Sequence, residues 1–284
     1  MASLNFGQFY QAFFQKLVLL VAICTQIEIN AQVSASANAR NYARMTEVDI
    51  GSMRILYAFN AKDINATETY EDQHRLEIGA YLSKYYSDFI VRNDSLCDEW
   101  GRQNPTAQSA PSRCLPLGFQ RRHQWSEYYY SYLFKDFSQG TLTQFTLMTR
   151  VVPNFQLSEN IPVLDWTILT DTLTVAGYLC QKAICRFRGR DFVAWFAPDI
   201  PINNGPWKFG GLPGLILKVY DTEKQYVFEC TQIRQTAFPI KKPDPQLFTE
   251  TTRENLRRAV ARIYDGTTNP LIRVPVVWNP IELE

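Results

Sequence analysis

The chain has little that supports metal or nucleic-acid chemistry. Only two of its 284 residues are histidine, His74 and His123. No C-x2-C or H-x3-H spacing occurs, and Cys180-x4-Cys185 lacks a second ligand pair, so no zinc site is expected. Charge of one sign is also missing: 29 Lys and Arg against 28 Asp and Glu give a formal net charge of +1. That balance gives no electrostatic reason to expect a nucleic-acid partner. Repeats, low-complexity tracts, charge blocks and composition shifts that would mark a domain boundary are absent as well. What is present is apolar material, 46% hydrophobic and 14% aromatic, ample for a large core and too much for a disordered chain.

The N-terminus reads as an address. Lys16 precedes an apolar run from Leu17 to Cys24, and Ala31 offers a small residue for cleavage. That is the layout of a secretory signal peptide. The eleven uncharged residues between Lys16 and Glu28 are too few to cross a bilayer, whose hydrocarbon is about 30 Å thick. A buried N-terminal helix is the competing reading. Lipidation at Cys24 is another, although Ile23 stands where a small residue is expected. The expectation is a signal peptide over 1–31 and one β-rich domain over 32–284. The mature chain is then exported, periplasmic or outer-membrane-associated, with no transmembrane span and no cofactor.

Export gives the cysteines a meaning. Cys97, Cys114, Cys180, Cys185 and Cys230 remain after cleavage, an odd number that leaves at least one thiol over. Cys97 and Cys114 bracket a polar loop with Gly101, Pro105 and Pro111, and a disulfide between them is expected. Closing such a loop contributes about 3 kcal/mol in the chain-entropy model.

The rest of the chain patterns as strands. Met53, Ile55, Tyr57 and Phe59 fall on one face at period two. His74 to Ile78, Leu82 to Ile90, Val163 to Thr170, Tyr178 to Arg188, Phe192 to Phe196, Leu215 to Tyr220 and Tyr226 to Arg234 read alike. Ser126 to Phe134 and Thr141 to Thr149 form a hairpin about Gly140. A helical turn is expected within Asp94 to Arg102. Near the end, Thr251-x-x-Glu254 is a capping box, Leu256, Ala259, Val260, Ile263 and Tyr264 make an apolar stripe, and Gly266 ends it. The tail with Pro270, Pro275 and Pro280 should be extended. Strands joined by short turns predict a mainly β fold: a curved antiparallel sheet, open or half-barrel-like, with a C-terminal amphipathic helix.

The most distinctive stretch is Cys180 to Asp221. It holds Gly211-Leu212-Pro213-Gly214-Leu215-Ile216, preceded by Cys180-x-Lys182-Ala183, Phe187-x-Gly189-Arg190 and Ala194-Trp195-Phe196. Asp199-Ile200-Pro201-Ile202 and Gly205-Pro206-Trp207-x-Phe209-x-Gly211 complete the pattern. In these residues, about forty of them, the chain resembles the GLPGLI family. The resemblance implies an exported protein of Gram-negative envelopes without an established activity.

Physically, Pro213-Gly214 fits the middle of a type II turn, with glycine at φ > 0. Gly205, Pro206, Gly210, Gly211 and Gly214 serve as structural turn residues, and Trp207, Phe209 and Leu212 would fold the loop back over the sheet. The segment then acts as a rigid clasp, or as a partner-binding loop with Trp195, Trp207, Phe209, Leu212 and Pro213. Phosphate binding is disfavoured because Pro206 and Pro213 remove amide donors. Arg186, Arg188 and Arg190 alternate, so an unbroken strand would put them on one face with Lys182. That face grips carboxylate or phosphate groups, or is a solvated strand face, or pairs with Asp191, Asp199 and Asp221; Asp199 is also a candidate ligand- or partner-binding residue.

Catalytic motifs are scarce. His74 and His123 lack an adjacent nucleophile motif, no G-x-S-x-G occurs, and a Cys114–His123 dyad would compete with the disulfide. Asp199 and Asp221 are candidates for a glycosidase-like acid pair, which must lie within about 10 Å. Trp125, Tyr128, Tyr129, Tyr130 and Tyr132 suit sheet surface and core, or an aromatic binding face. Three functions follow as expectations. The first is a non-catalytic envelope binding or accessory module for a protein partner or a peptide or apolar ligand. The second is a structural subunit docking onto an outer-membrane protein assembly. The third is a hydrolase using the acid pair.

Overall fold

The computed structural model describes residues 45–107, 131–148, 153–264 and 280–284. The expected signal peptide, Cys114, His123, Trp125, the tyrosines 128–130, Gly266, Pro270 and Pro275 lie outside the described residues.

Twelve strands form one sheet among the described residues. In chain order they are β1 (Met45–Phe59), β2 (Asp72–Gly79), β3 (Leu82–Ser87), β4 (Ser131–Asp136), β5 (Thr141–Thr146) and β6 (Phe155–Asn160). There follow β7 (Thr167–Val175), β8 (Tyr178–Phe187), β9 (Arg190–Ala197), β10 (Leu215–Asp221), β11 (Val227–Pro243) and β12 (Thr249–Glu250). Helix α1 (Asp88–Gln103) follows β3, and α2 (Arg253–Tyr264) follows β12. The spatial order is β12-β6-β5-β4-β3-β2-β1-β11-β10-β9-β8-β7. Every neighbouring pair is antiparallel except β12 with β6. The fold is therefore mainly β, a mostly antiparallel open sheet with a C-terminal helix, as the strand pattern predicted.

The period-two reading of β1 is correct in detail. Met53, Ile55, Tyr57 and Phe59 are all buried on the concave face. They join Leu76, Leu133, Leu142, Phe192, Phe196, Leu215, Val219 and Phe228 in one core cluster drawn from both halves of the sheet. Register shifts at Gly51/Met53 and Leu56/Tyr57 in β1, and at Ile216/Lys218 in β10, mark the bulges that increase local bend and twist. At Gly51 the chain turns back over the convex face, and a Cβ there would lie 2.1 Å from the Phe238 ring. A smaller cluster, Tyr86, Tyr132, Phe134, Phe145, Phe238 and Ile240, packs beneath that overlap. Lys84 lies in it, its Nζ donating to the carbonyl of Lys241 at 2.9 Å, and burial pulls its pKa down to about 8.

Two expectations are corrected. The strand expected over Leu82 to Ile90 ends at Ser87, whose hydroxyl accepts from Ile90 N and caps α1. A cap of this kind with Asp88 in the first turn starts a helix where apolar periodicity alone continues a strand. At α2 the hydroxyl accepting a first-turn amide is Thr252, bonded by Asn255 N at 3.3 Å, one residue after the predicted cap. Leu256 and Val260 are its buried stripe. No disulfide is seen among the described residues; Cys114, the expected partner of Cys97, lies outside them, and Cys97 lies on the buried side of α1. There it fills space as a small apolar side chain.

Candidate functional site

The Gly211–Ile216 motif ends a loop packed into the concave face. From Ala197 the chain runs inward, with Ile202 N bonded to Ile200 O at 2.7 Å and Asn204 N to Ile202 O at 2.8 Å. Trp207, Phe209 and Leu212 are buried to 3%, 0% and 2% exposure in the main core. Phe209 meets Phe192 with ring centroids 4.9 Å apart, and Trp207 meets Phe187 at 6.1 Å. Between them Lys135 of β4 points inward, its ammonium donating to Asn204 Oδ1 at 2.9 Å and to the carbonyl of Phe209. The lysine is fully buried, and burial lowers its pKa to about 7. Tyr57 OH bonds Ile216 O at 2.8 Å, and Trp166 Nε1 bonds Gly210 O at 2.8 Å.

The turn itself differs from the type II form expected. Gly214 N bonds Leu212 O at 2.8 Å, closing a three-residue turn centred on Pro213. Gly211 carries the positive φ, +89°, and Gly214 is required for another reason. A Cβ at Gly214 would sit 2.3 Å from the carbonyl oxygen of Ala197. Gly205 is tight in the same way, with Ile216 Cβ at 2.9 Å, whereas Gly210 has nothing closer than 3.5 Å. Phe209 N bonds Pro206 O at 3.1 Å, a β-turn that carries Trp207 at φ 51°.

The three arginines do not share a face. β8 ends at Phe187, and Arg188 with Gly189 forms a two-residue turn with both φ values positive. Reversal at that turn sets Arg186 opposite Asp191 and Arg190 opposite Phe187, on opposite sides of the sheet. Arg186 is exposed and pairs with Asp191 at 3.1 Å. Arg190 is buried, bonding Asp221 Oδ2 at 3.3 Å, Gln225 Oε1 at 3.2 Å and the carbonyl of Pro280 at 2.8 Å.

Arg188 enters an ion cluster that is half-buried at Arg188 and Glu159 and buried at Lys208 and Glu282. It bonds Glu159 of β6 at 3.0 Å and also Glu282. Lys208, 2% exposed at its side chain, bonds Glu159 at 3.0 Å and Glu282 at 2.7 Å, and Arg253 of α2 adds a third cation on Glu159 at 3.0 Å. Burial pushes the Glu159 carboxyl up, but Lys208 and Arg188 outweigh it and hold its pKa below the usual value. The cluster ties β6, near one edge of the sheet, to the β8–β9 turn near the other. With the core packed between the two halves, it holds the open sheet curled.

The acid pair is not assembled. β9 and β10 pair from Leu215↔Ala197 to Asp221↔Phe192, so Asp199 lies beyond one end and Asp221 at the other. Six residues of strand separate the ends, about 20 Å. Asp221 is committed to Arg190 and to Tyr226 N, while Asp199 is exposed. Trp195 lies on the convex side, 5.8 Å from Lys182 Nζ, with its indole N–H lacking a hydrogen-bond partner.

A second polar group, of which the sequence singled out only His74, lies on the concave face of β2 to β5. Tyr57 pairs with His74, His74 with Ser87, and Ser131 with Thr146 across the sheet. Asp72, Tyr85 and Gln144 complete this polar patch on an otherwise apolar surface. The Tyr85 hydroxyl bonds His74 Nδ1, and Asp72 Oδ2 lies 3.4 Å from His74 Nε2. Asp72 Oδ1 accepts from Ser87 Oγ at 2.8 Å. His74 stacks on Phe59, centroids 5.1 Å apart. The available signal was the pair Asp72-x-His74 and Tyr85-x-Ser87, polar residues at period two within inward-facing strand positions.

The fold and site define a mainly β protein whose curled open sheet is filled by its own glycine-proline loop. Residues 188–218 match a family described as a protein of unknown function (Porph_ging), a span that includes the Gly211–Ile216 motif. No curated protein matches the chain. Two crystal structures of PNGF-II, in the P21 and C2 space groups, align over 75% of this chain with 15% identity and a TM-score of 0.45. They are matched over 33% of their own length, so the chain spans about a third of the solved structures it resembles.

Proposed function

We propose that this protein is an exported, non-catalytic binding or accessory module of the cell envelope, periplasmic or outer-membrane-associated. The observation that carries the reading is the burial of the motif loop. Its large side chains and Lys208 are spent on packing and ion pairing inside the sheet, and Lys135 bonds its backbone. Loop and Arg188 together act as the clasp that gives the sheet a fixed curvature. Recognition then falls to the outer surface and turns of a rigid scaffold. Photo-crosslinking of the tagged mature chain in native envelopes tests this. A discrete envelope adduct that maps to exposed turn residues supports the module. A full-length chain retained in the cytosol, with an unprocessed N-terminus by mass spectrometry, sinks it.

Among the described residues, a catalytic reading rests on the Asp72–His74–Tyr85 array, where a carboxylate and a hydroxyl flank an imidazole as acid–base catalysts require. It replaces the Asp199–Asp221 pair. Turnover in a hydrolase substrate panel that is lost in both Asp72→Asn and His74→Gln would favour it over the binding module.

A further inference from the structure

One rim of the sheet carries large apolar side chains on the tips of consecutive turns. Ile50, at the bend of β1, is 72% exposed, and Tyr81, in the β2–β3 turn, is 66% exposed. Phe137, in the β4–β5 turn, is 46% exposed, and Val163, just past β6, is 96% exposed. Hydrogen bonds join these positions side by side. Tyr81 N and Leu82 N both bond Asp49 Oδ2, at 2.9 and 3.0 Å. Phe137 N bonds Tyr81 O at 3.0 Å, and Ile161 N bonds Gly140 O at 2.8 Å. The rim follows the order β1, β2, β3, β4, β5, β6, five strand spacings and so about 24 Å.

Two features decide what such a rim fits. The turns are closed on themselves, since Asp136 Oδ1 accepts from Ser138 N and Gln139 N at 3.0 and 3.1 Å, as Asp49 does for its neighbours. The tips thus expose apolar side chains over satisfied amides and offer no row of free donors for pairing a peptide strand. Beside the β6 end of the rim lies α2, held there by the Arg253–Glu159 bond. Its remaining cations, Arg257, Arg258 and Arg262, stand on a helix with one acidic residue, Glu254. Arg258 and Arg262 are exposed, and Arg258 also pairs on the surface with Glu254 at 2.6 Å. Separate apolar tips with exposed arginines beside one end suit a deformable apolar phase with anionic headgroups better than a rigid complementary pocket.

We infer that Ile50, Tyr81, Phe137 and Val163 insert into the interface of an anionic phospholipid surface while the arginines of α2 contact its headgroups. The envelope reading supplies only which membrane this would be; the lipid contact itself does not depend on export. Flotation of the purified chain with vesicles of phosphatidylethanolamine and phosphatidylglycerol tests it directly. The wild type is expected to float with the vesicles, more weakly as salt rises. Joint replacement Ile50→Ser, Tyr81→Ser, Phe137→Ser and Val163→Ser abolishes flotation at unchanged Tm. Arg258→Gln with Arg262→Gln weakens it about fivefold per residue. A wild type that stays with the protein-only fraction overturns the proposal, as does a serine variant that still floats. Concentration-dependent dimerisation lost in the serine variant, without flotation of the wild type, would assign the rim to a second copy of the chain. Failure of crosslinking in cells with intact flotation would instead remove the accessory-module reading and leave the lipid contact standing.

Discussion

The ammonium of Lys135 on β4 donates to the backbone carbonyl of Phe209, 74 residues further along the chain. This contact fixes the loop against the far half of the sheet, and it makes stability depend on pH. Folded Lys135 titrates at about 7, against an ordinary value of 10.5. Between those values the unfolded chain binds more protons than the folded one, so stability rises with pH from about 7 upward, at most about 1.4 kcal/mol per unit. Lys84, lowered to about 8, adds to the rise at higher pH.

The upper limit of that rise comes from thiols. Burial lifts Cys180 to about 11, and Cys185 and Cys230 to about 12, from an ordinary 9.0. Unfolded thiols ionise first, so stability is lost above pH 9. Urea denaturation across pH should show a maximum near pH 9. In Lys135→Met the rise beginning near pH 7 should disappear, leaving only the part due to Lys84.

The glycines of the motif loop differ in what they tolerate. Gly214→Ala places a methyl 2.3 Å from the Ala197 carbonyl oxygen, and a loss of about 2–3 kcal/mol is expected. Gly210→Ala meets nothing nearer than 3.5 Å and should cost under about 1 kcal/mol. Calorimetric Tm values for the two variants check the contrast; equal losses would mean that the Ala197 contact is not what requires glycine at 214.

The arginines differ as sharply. Removing Glu159 leaves Arg188 and the buried Lys208 with one carboxylate between them, and Glu159→Ala should cost about 3–5 kcal/mol. Arg186→Gln breaks only the exposed pair with Asp191, where both side chains are more than half accessible. Its effect should be under about 1 kcal/mol. Chemical denaturation of each variant reads the difference.

Ser87 joins two elements, capping α1 through Ile90 N while donating to Asp72. Ser87→Ala is expected to lose about 1–2 kcal/mol, with the helical circular-dichroism signal reduced in proportion. A variant as stable as the wild type would show that Asp88 alone starts the helix.

The strands of the concave face were readable because alternation in a half-buried sheet is a local property. Met53, Ile55, Tyr57 and Phe59 keep their period whichever strand lies beside them. The strand end at Ser87 was less readable, since a cap and a strand end use the same residue types. The polar patch around His74 stayed hidden for a different reason. Asp72, His74, Tyr85 and Ser87 lie on two strands, and their convergence is a matter of register, which one strand cannot disclose.

By itself the sequence determined the β class, the terminal helix and the Gly211–Ile216 loop as the distinctive segment, because spacing, capping and turn chemistry act within a few residues. Only the tertiary structure decided what that loop does. Whether Arg188 grips a ligand or Glu159, and whether Lys208 faces water or Glu282, depends on which strands the curl of the sheet brings together. Burial removes water as a competitor for each charge, so the partner found across the fold sets the role of the residue.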